Sequence, residues 1–423
     1  LTPKVPLRAS STFFILNFID TLGKNLSIKG ITSILAMLQW VIGAILSYRY
    51  VVDDTVYGMS VNESQYMNFA LYGTLTFIAG MYIPLSFSDK YKNIDIEKLK
   101  SDVKANSAAG PRLVIIGLIA AFTKSYASEG LAFVFFLLQN IRFIGLYYII
   151  LSDNKYKIFW TIMVMGSLFI TAVAGGMFHE LLLWTGFMIM IVSFFYPQHF
   201  FKKFFIVLLL FVLGYIMQSI KGEFRKETWG KELKTENVLI TFFSLMHDRI
   251  ADPEYILSEE NRNNNIIRIN QGWIISRIMF NVPAYVDYAE GETIKEAVYA
   301  SLLPRVLAPE KAISGGKKNF ERFTGLALIQ TSMDLSPLGE SYANFGPSKG
   351  IYFMFLYGLF FNLALLLITR ISIKKPEILL WVPLIFLQAI KAESDIMTSL
   401  NHITKASLIV YLLFSPLGKR FWR

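Results

Sequence analysis

Cysteine is missing from this chain of 423 residues, so neither a disulfide framework nor thiolate chemistry is open to it. Histidine is scarce. The four that occur, His179, His199, His247 and His402, are scattered and form no H-x-x-x-H pair, so no helical zinc motif is present. There is no G-x-x-x-x-G-K-[ST] phosphate loop and no D-x-D pair to hold a metal against a nucleotide-sugar. Neither a metal nor a cofactor is therefore expected. Charge is thin as well. Asp, Glu, Lys and Arg make up 17% of the residues, against about 25% in soluble domains, while 54% are hydrophobic and 15% aromatic. A chain that sheds charge in this way suits lipid, where only helices and closed barrels satisfy their own backbones. The net charge of +10 does not point to a nucleic-acid partner. Its lysines and arginines cluster in short loops between apolar runs, as topology signals do.

Those apolar runs are what the sequence has in abundance. Ten stretches read as spans, near Ile31–Ser47, Met67–Phe87, Arg112–Lys124, Gly130–Leu151, Ile158–Gly176, Met177–Tyr196, Phe204–Ser219, Ser348–Ile368, Glu377–Lys391 and Ile403–Ser415. A bilayer core about 30 Å thick asks for roughly 20 apolar residues of helix. The fifth and sixth spans are divided at Gly175-Gly176, where two adjacent glycines favour a break. Residues Thr12 to Ile19 are apolar but short, and read as an interfacial segment. One polar stretch, Ile220 to Gly339, separates seven spans from three. The expected fold is an all-α polytopic membrane protein. It has an N-terminal membrane region at 1–219, one large loop of interfacial helices at 220–347 and a C-terminal membrane region at 348–423.

Loop charge orients these spans. One alternating set of loops holds Lys4, Arg8, Lys24 and Lys29, then Lys90 to Lys104, Lys155/Lys157, Lys202/Lys203, Arg370/Lys374/Lys375 and Lys419/Arg420/Arg423. The other holds Asp53/Asp54/Glu63, Glu129, His179/Glu180, the long loop and Glu393/Asp395. The basic side faces the cytoplasm. Both ends are then cytoplasmic, and the long loop faces outward. The chain begins at Leu1 rather than Met, which leaves room for upstream residues and spans, and no signal-peptide pattern stands at this start.

Inside the loop, Lys221 to Asn265 is charged and mixed, and reads as a solvated surface with a flexible link. From Ile266 to Met279, apolar residues recur at helical spacing with Arg268, Asn270, Gln271 and Arg277 between them. Arg268 and Arg277 lie nine residues apart, on opposite faces of an unbroken helix, and converge only if the helix breaks near Gly272. A second helix, Glu292 to Leu303, follows Gly291 and ends at Pro304-Arg305. Ser314 to Gly325 is a flexible basic loop with Lys317, Lys318 and Arg322. Last comes Ser336-Pro-Leu-Gly-Glu-Ser-Tyr-Ala-Asn-Phe-Gly346. A carboxylate and an amide where a helix enters the bilayer are costly unless used or paired.

Arg268-x-Asn-Gln-Gly-Trp-Ile-Ile-Ser-Arg277, Ser301-Leu-Leu-Pro-Arg305, Arg322-Phe-Thr-Gly and Gly339-Glu-Ser-Tyr-Ala-Asn-Phe-Gly346 resemble segments of the bacterial oligosaccharide repeat-unit polymerases, the O-antigen (Wzy-like) family. The resemblance is loose over the whole architecture and closer from Arg268 to Gly350. It implies a GT-C-type membrane glycosyltransferase in the bacterial cytoplasmic membrane. Such an enzyme moves a growing glycan from its polyprenyl diphosphate carrier onto a new lipid-linked repeat unit on the outer face. It also implies membrane lipids and a chain-length regulator as partners. The family's functional loop arginines match Arg268, Arg277, Arg305 and Arg322 by setting in the loop.

Chemistry gives these residues roles. Lipid diphosphate is a good leaving group, so the enzyme must stabilise departing charge and activate an acceptor hydroxyl. Arginine suits the first task, because its charge is permanent and its forked donors match phosphate oxygens. Arg268, Gln271, Arg277, Arg305, Arg322 and Asn344 are the residues expected to hold diphosphate and glycan; intramembrane Arg142 and Lys391 are further candidates to reach phosphate, with pairing to Glu393 or snorkelling outward as the alternative for Lys391. A partly desolvated carboxylate suits the second task. Glu340 is the first candidate base, with Glu393, Asp395 and His402 behind it. Two rivals remain. A ligase that moves finished glycan to another acceptor shares this topology. A transporter or flippase is the non-enzyme alternative, although such proteins often show internal repeats, and none is visible here.

Overall fold

Backbone N–H and C=O groups cannot stay unpaired in lipid, and this chain pairs them within helices. The computed structural model describes residues 19, 22–23, 26–51, 54, 56–85, 95–126, 131–229, 235–303, 316–328 and 333–418. Among these residues every regular element is helical. The interfacial segment expected at Thr12 to Ile19 lies, except for Ile19, outside them.

Each of the ten apolar stretches carries helix, but not all reach span length. Among the described residues six helices are long and apolar enough to cross a membrane: Ile28–Tyr50, Ala132–Leu151, Lys157–Gly175, Phe200–Thr228, Ser336–Ser372 and Ile396–Phe414. The bent pair Ile96–Ala105 and Ala109–Thr123, at 73° to one another, qualifies together as one more. The chain is thus a helical membrane protein. His179–Phe195 and Pro376–Phe386 are shorter apolar helices. The second of these falls where hydropathy predicts the span Glu377–Lys391. It runs as a 3-10 turn, Pro376–Trp381, into Val382–Phe386, and every residue from Pro376 to Phe386 is buried by protein. Its apolar composition reflects burial among other helices, which hydropathy alone does not separate from contact with lipid.

By packing, the chain divides into two units, and the division falls inside the long loop. One unit takes in Ile28–Asp95 and Ile269–Lys419, the other Ile96–Arg268. In the first, Glu63–Tyr82 lies along Ser336–Ser372 at glycine contacts. A Cβ on Gly80 would collide with the Phe355 carbonyl oxygen, and one on Gly358 with that of Phe77. Small residues let helix backbones approach this closely. Polar ties follow along the seam: Thr76 Oγ1 donates to the Ile351 carbonyl (3.1 Å), and Asn362 Nδ2 to that of Ile83 (3.0 Å). The Ser336–Ser372 helix itself is broken at Gly346 (φ 71°, ψ −171°) before Pro347. This conformation favours glycine, and it gives a short arm, 336–345, followed by the span.

In the second unit, the break at Gly175-Gly176 occurs as the two glycines suggest. Lys157–Gly175 ends on Gly176 at φ 57°, and His179–Phe195 begins after it. Arg225 closes this turn, donating Nε and Nη2 to the Gly176 carbonyl (3.2 and 3.1 Å) while stacking on Trp229. The stretch that reads as a flexible link, Lys221 to Asn265, is instead largely helix. Phe200–Thr228 runs on past Ser219, and Thr235–Ala251, Pro253–Leu257 and Glu259–Ile269 follow. The reason is burial on one face: Val238 and Phe242 join Phe178, Ile220 and Phe224 in an apolar cluster. Even the Asn-rich run has buried Asn261 and Asn265, with Asn265 Nδ2 donating to the Asn261 carbonyl (2.9 Å).

Candidate functional site: a buried acid cluster

The arm 336–345 carries the site, within the first unit. Pro337 stands in the first turn, where a missing N–H costs nothing, and Ser336 Oγ accepts from Gly339 N–H (3.2 Å). One turn on, Glu340 is only 2% exposed. Both its oxygens are occupied. Thr293 donates its hydroxyl to Oε1 at 2.6 Å, and Ile396 donates its backbone N–H to Oε2 at 2.9 Å. The second bond sets the carboxylate at the N-terminus of Ile396–Phe414, where unpaired N–H groups and the helix dipole favour negative charge.

Asn344 follows Glu340 by four residues, on the same helix face. Its Nδ2 donates to Thr293 Oγ1 (2.7 Å) and to the Glu340 carbonyl (2.8 Å), and its Oδ1 accepts from Gly291 N–H (3.0 Å). Backbone bonds from Ala289 and Glu290 to the carbonyls of Ala343 and Asn344, each 3.0 Å, fix the loop to the arm. Gly291, at φ 88°, then opens the Glu292–Leu302 helix that presents Thr293.

Two more acids adjoin Glu340. Asp395 caps Ile396–Phe414, its Oδ1 accepting from Thr398 N–H at 2.6 Å. Its own N–H donates to Asp334 Oδ2 at 3.3 Å. Burial, with the negative charge of Asp395, Glu393 and Glu340 nearby, pushes the Asp334 carboxyl up to about 8. Burial raises Asp395 too. Gly316, at φ 62°, brings backbone against Asp334, because a Cβ there would collide with Asp334 Oδ1. Burial thus favours the protonated forms of Asp334 and Asp395 beside Glu340. Among the described residues no three or more His, Asp or Glu side chains are placed to hold one metal ion.

The other expected site residues divide. Arg322 pairs with Glu292 (Nη1 to Oε2, 2.9 Å), and the next residue, Thr293, bonds Glu340 in the acid cluster. Arg277 donates Nε to the Thr324 carbonyl (3.1 Å) and lies over the Phe280 ring. Asn281 ties the same two segments, Nδ2 to the Phe323 carbonyl at 3.1 Å. Arg277 and Arg322 therefore sit on two packed helices, Gly272–Asn281 and Lys317–Thr324. Gln271 opens the first of these, its N–H donating to the Gln39 carbonyl (3.0 Å). The helix does break there: Glu259–Ile269 ends, and Gly272 starts anew with its N–H on Asn270 Oδ1 (2.8 Å).

Arg268 falls in the other unit, facing Gly222, whose added Cβ would lie 3.2 Å from Arg268 Nη2. Arg305 lies outside the described residues. His402 is buried in Ile396–Phe414 with Nε2 2.7 Å from the Leu384 carbonyl, a tie between helices. Glu393 is half-buried in the turn before Asp395. Arg142 is buried in the second unit, where Gly117 leaves space for its backbone. Sequence reading missed Asp334 and Thr293. Asp334 offered one signal, an acid just before the chain re-enters apolar sequence, whereas nothing local marks Thr293.

Over residues 30–369 the chain matches the model of a family described as a domain of unknown function, DUF8712, and it belongs to that family. No curated protein matches it. No solved structure matches it either.

Proposed function

We propose that this chain is a membrane glycosyltransferase of the bacterial cytoplasmic membrane. It joins polyprenyl-diphosphate-linked oligosaccharide repeat units on the outer face, as its resemblance to the O-antigen polymerases implies. The observation that carries the reading is the buried acid group Asp334, Glu340 and Asp395, joined through Thr293 to the residue before it, Glu292, which pairs with Arg322.

In the proposed step the acceptor hydroxyl oxygen bonds to the anomeric carbon of the donor glycan. The bond from that carbon to diphosphate breaks, and the diphosphate leaves with the electron pair. Arg277 and Arg322 meet the leaving charge, Arg322 by exchanging Glu292 for phosphate, since forked donors fit both anions. The hydroxyl proton passes to the acid group. Glu340 is the first acceptor, because each carboxylate oxygen keeps a lone pair beyond the single bond it accepts here. Asn344 orients the hydroxyl.

A second reading draws on the same acids. Buried protonatable groups also mark proton relays in carriers, so a proton-coupled exporter of lipid-linked glycan would use such a cluster. Elongation of purified lipid-linked repeat units separates the two. The polymerase lengthens them in detergent with no proton gradient, and its Glu340→Gln variant does not. A protein that binds the units but never lengthens them without a membrane gradient would sink the enzyme reading. Transfer to a non-repeat acceptor alone would make it a ligase.

A further inference from the structure

The far end of the first unit holds a cavity of about 500 Å³ between the ends of Ser336–Ser372 and Ile396–Phe414 and the start of Pro376–Phe386. Its wall is apolar, including Leu367, Ile378, Ile385 and Val410, while Arg370, Lys374 and Lys375 stand at it as well. Among the described residues no carboxylate lines it. Lys375 is held in place, its ammonium donating to the Phe414 carbonyl beside that ring.

Depth decides what such a cavity meets. From the Gly346 break to Ser372 the helix rises about 40 Å, more than the roughly 30 Å of a hydrocarbon core. Its last turn therefore stands among headgroups, with the apolar wall reaching back toward the acyl chains. We propose that this cavity is a binding site for an anionic phospholipid, its phosphate on Arg370 and Lys374 and an acyl chain along the apolar wall. Charge complementarity selects the anion, and each cation near a membrane surface strengthens such binding about fivefold. The reacting diphosphate is not the occupant. Asp395 and Glu340 lie at the opposite end of Ile396–Phe414, a helix of 19 residues that rises about 28 Å. The site therefore does not depend on the proposed catalytic reading.

Trp381 reports on the cavity, because its ring packs on that of Phe414 (centroids 6.2 Å), a lining residue. The test uses the full chain in phosphatidylcholine nanodiscs doped with a small fraction of brominated phosphatidylglycerol or, separately, brominated phosphatidylcholine. The Trp381 signal is the emission difference between the unsubstituted chain and Trp381→Phe. Brominated phosphatidylglycerol should quench it at fractions where brominated phosphatidylcholine does not. Arg370→Ala and Lys374→Ala should each raise the half-quenching fraction about fivefold, and Lys374→Arg should keep it. Millimolar inorganic phosphate should displace nothing. Equal quenching by both lipids, or displacement by free phosphate, would overturn the assignment. If Trp381→Phe or Arg370→Ala does not fold, native mass spectrometry decides. The unsubstituted chain should retain phosphatidylglycerol over phosphatidylcholine and Lys374→Gln should not; no preference would overturn the proposal equally.

Discussion

A carboxylate buried to 2% exposure with both oxygens bonded is either a brace or a proton acceptor, and Glu340 has the contacts for either. The two differ in what a neutral isostere removes. Glu340→Gln keeps the side chain's shape and one acceptor but loses basicity. If Glu340 is the base, elongation should fall about 100-fold to 10,000-fold in a protein that still inserts and binds lipid-linked substrate. If it is a brace, the loss should show as lowered thermal stability with residual activity. Thr293→Val supplies the comparison, since it removes the 2.6 Å bond and should cost about 1–3 kcal/mol of stability by leaving polar groups unpaired. Asp334 gives a pH test. Its folded carboxyl titrates near 8 against an ordinary 3.8, so between those values the folded state keeps a proton that the unfolded state has lost. Stability should therefore fall as pH rises from about 4 to 8 and level off above 8. Asp334→Asn should flatten that slope, and thermal unfolding across the range reads it; an unchanged slope would place the titration elsewhere. Glu340 and Asn344 were legible in sequence because polar groups at a helix entry stand out. Their partners were not, since Thr293 lies 47 residues from Glu340, and Ile396 contributes only backbone.

At the scale of elements, apolar runs located the helices well but could not say what each run faces. Pro376–Phe386 is apolar because protein surrounds it, and Thr235–Ala251 hides two buried apolar residues in a charged sequence. Glycine was more informative. Gly176 ends one helix and Gly346 breaks another, both at positive φ, as residues without a Cβ permit. Glycines at close approaches make a sharper prediction. At Gly358 a Cβ would run into the Phe77 carbonyl, whereas at Gly166 it would meet nothing within 4 Å. Gly358→Ala should destabilise the first unit by about 1–3 kcal/mol, as overpacking does. Gly166→Ala should leave stability unchanged or raise it by up to about 1 kcal/mol. Unfolding of the two variants in the same detergent compares them directly. Equal behaviour would mean that the Glu63–Tyr82 and Ser336–Ser372 backbones are not in close contact.

For the whole molecule, membrane residence follows from six span-length helices, while orientation rests on loop charge. The long loop, expected as one outward domain, is shared between two units that divide at Ile269. No composition change marks that point, because both sides are helical and mixed. Orientation can be tested on both units separately, and a chain without cysteine gives a silent background. Asn264 lies in the second unit, Lys318 in the first, and both side chains are exposed, as is that of Lys98 on the helix Ile96–Ala105, within the basic segment. The charge rule counts lysine and arginine in short loops near span ends, and Lys98 sits among five such lysines from Lys90 to Lys104. Asn264→Cys and Lys318→Cys should then react with an impermeant thiol reagent added outside intact cells. Lys98→Cys should react only after the membrane is opened. Because exposure is settled for all three positions, silence reports the membrane rather than burial. Labelling of Lys98→Cys from outside, with the other two silent, would invert the topology. It would also place the acid cluster toward the side where nucleotide-sugars rather than exported lipid-linked units are found, and the polymerase proposal would fall with it.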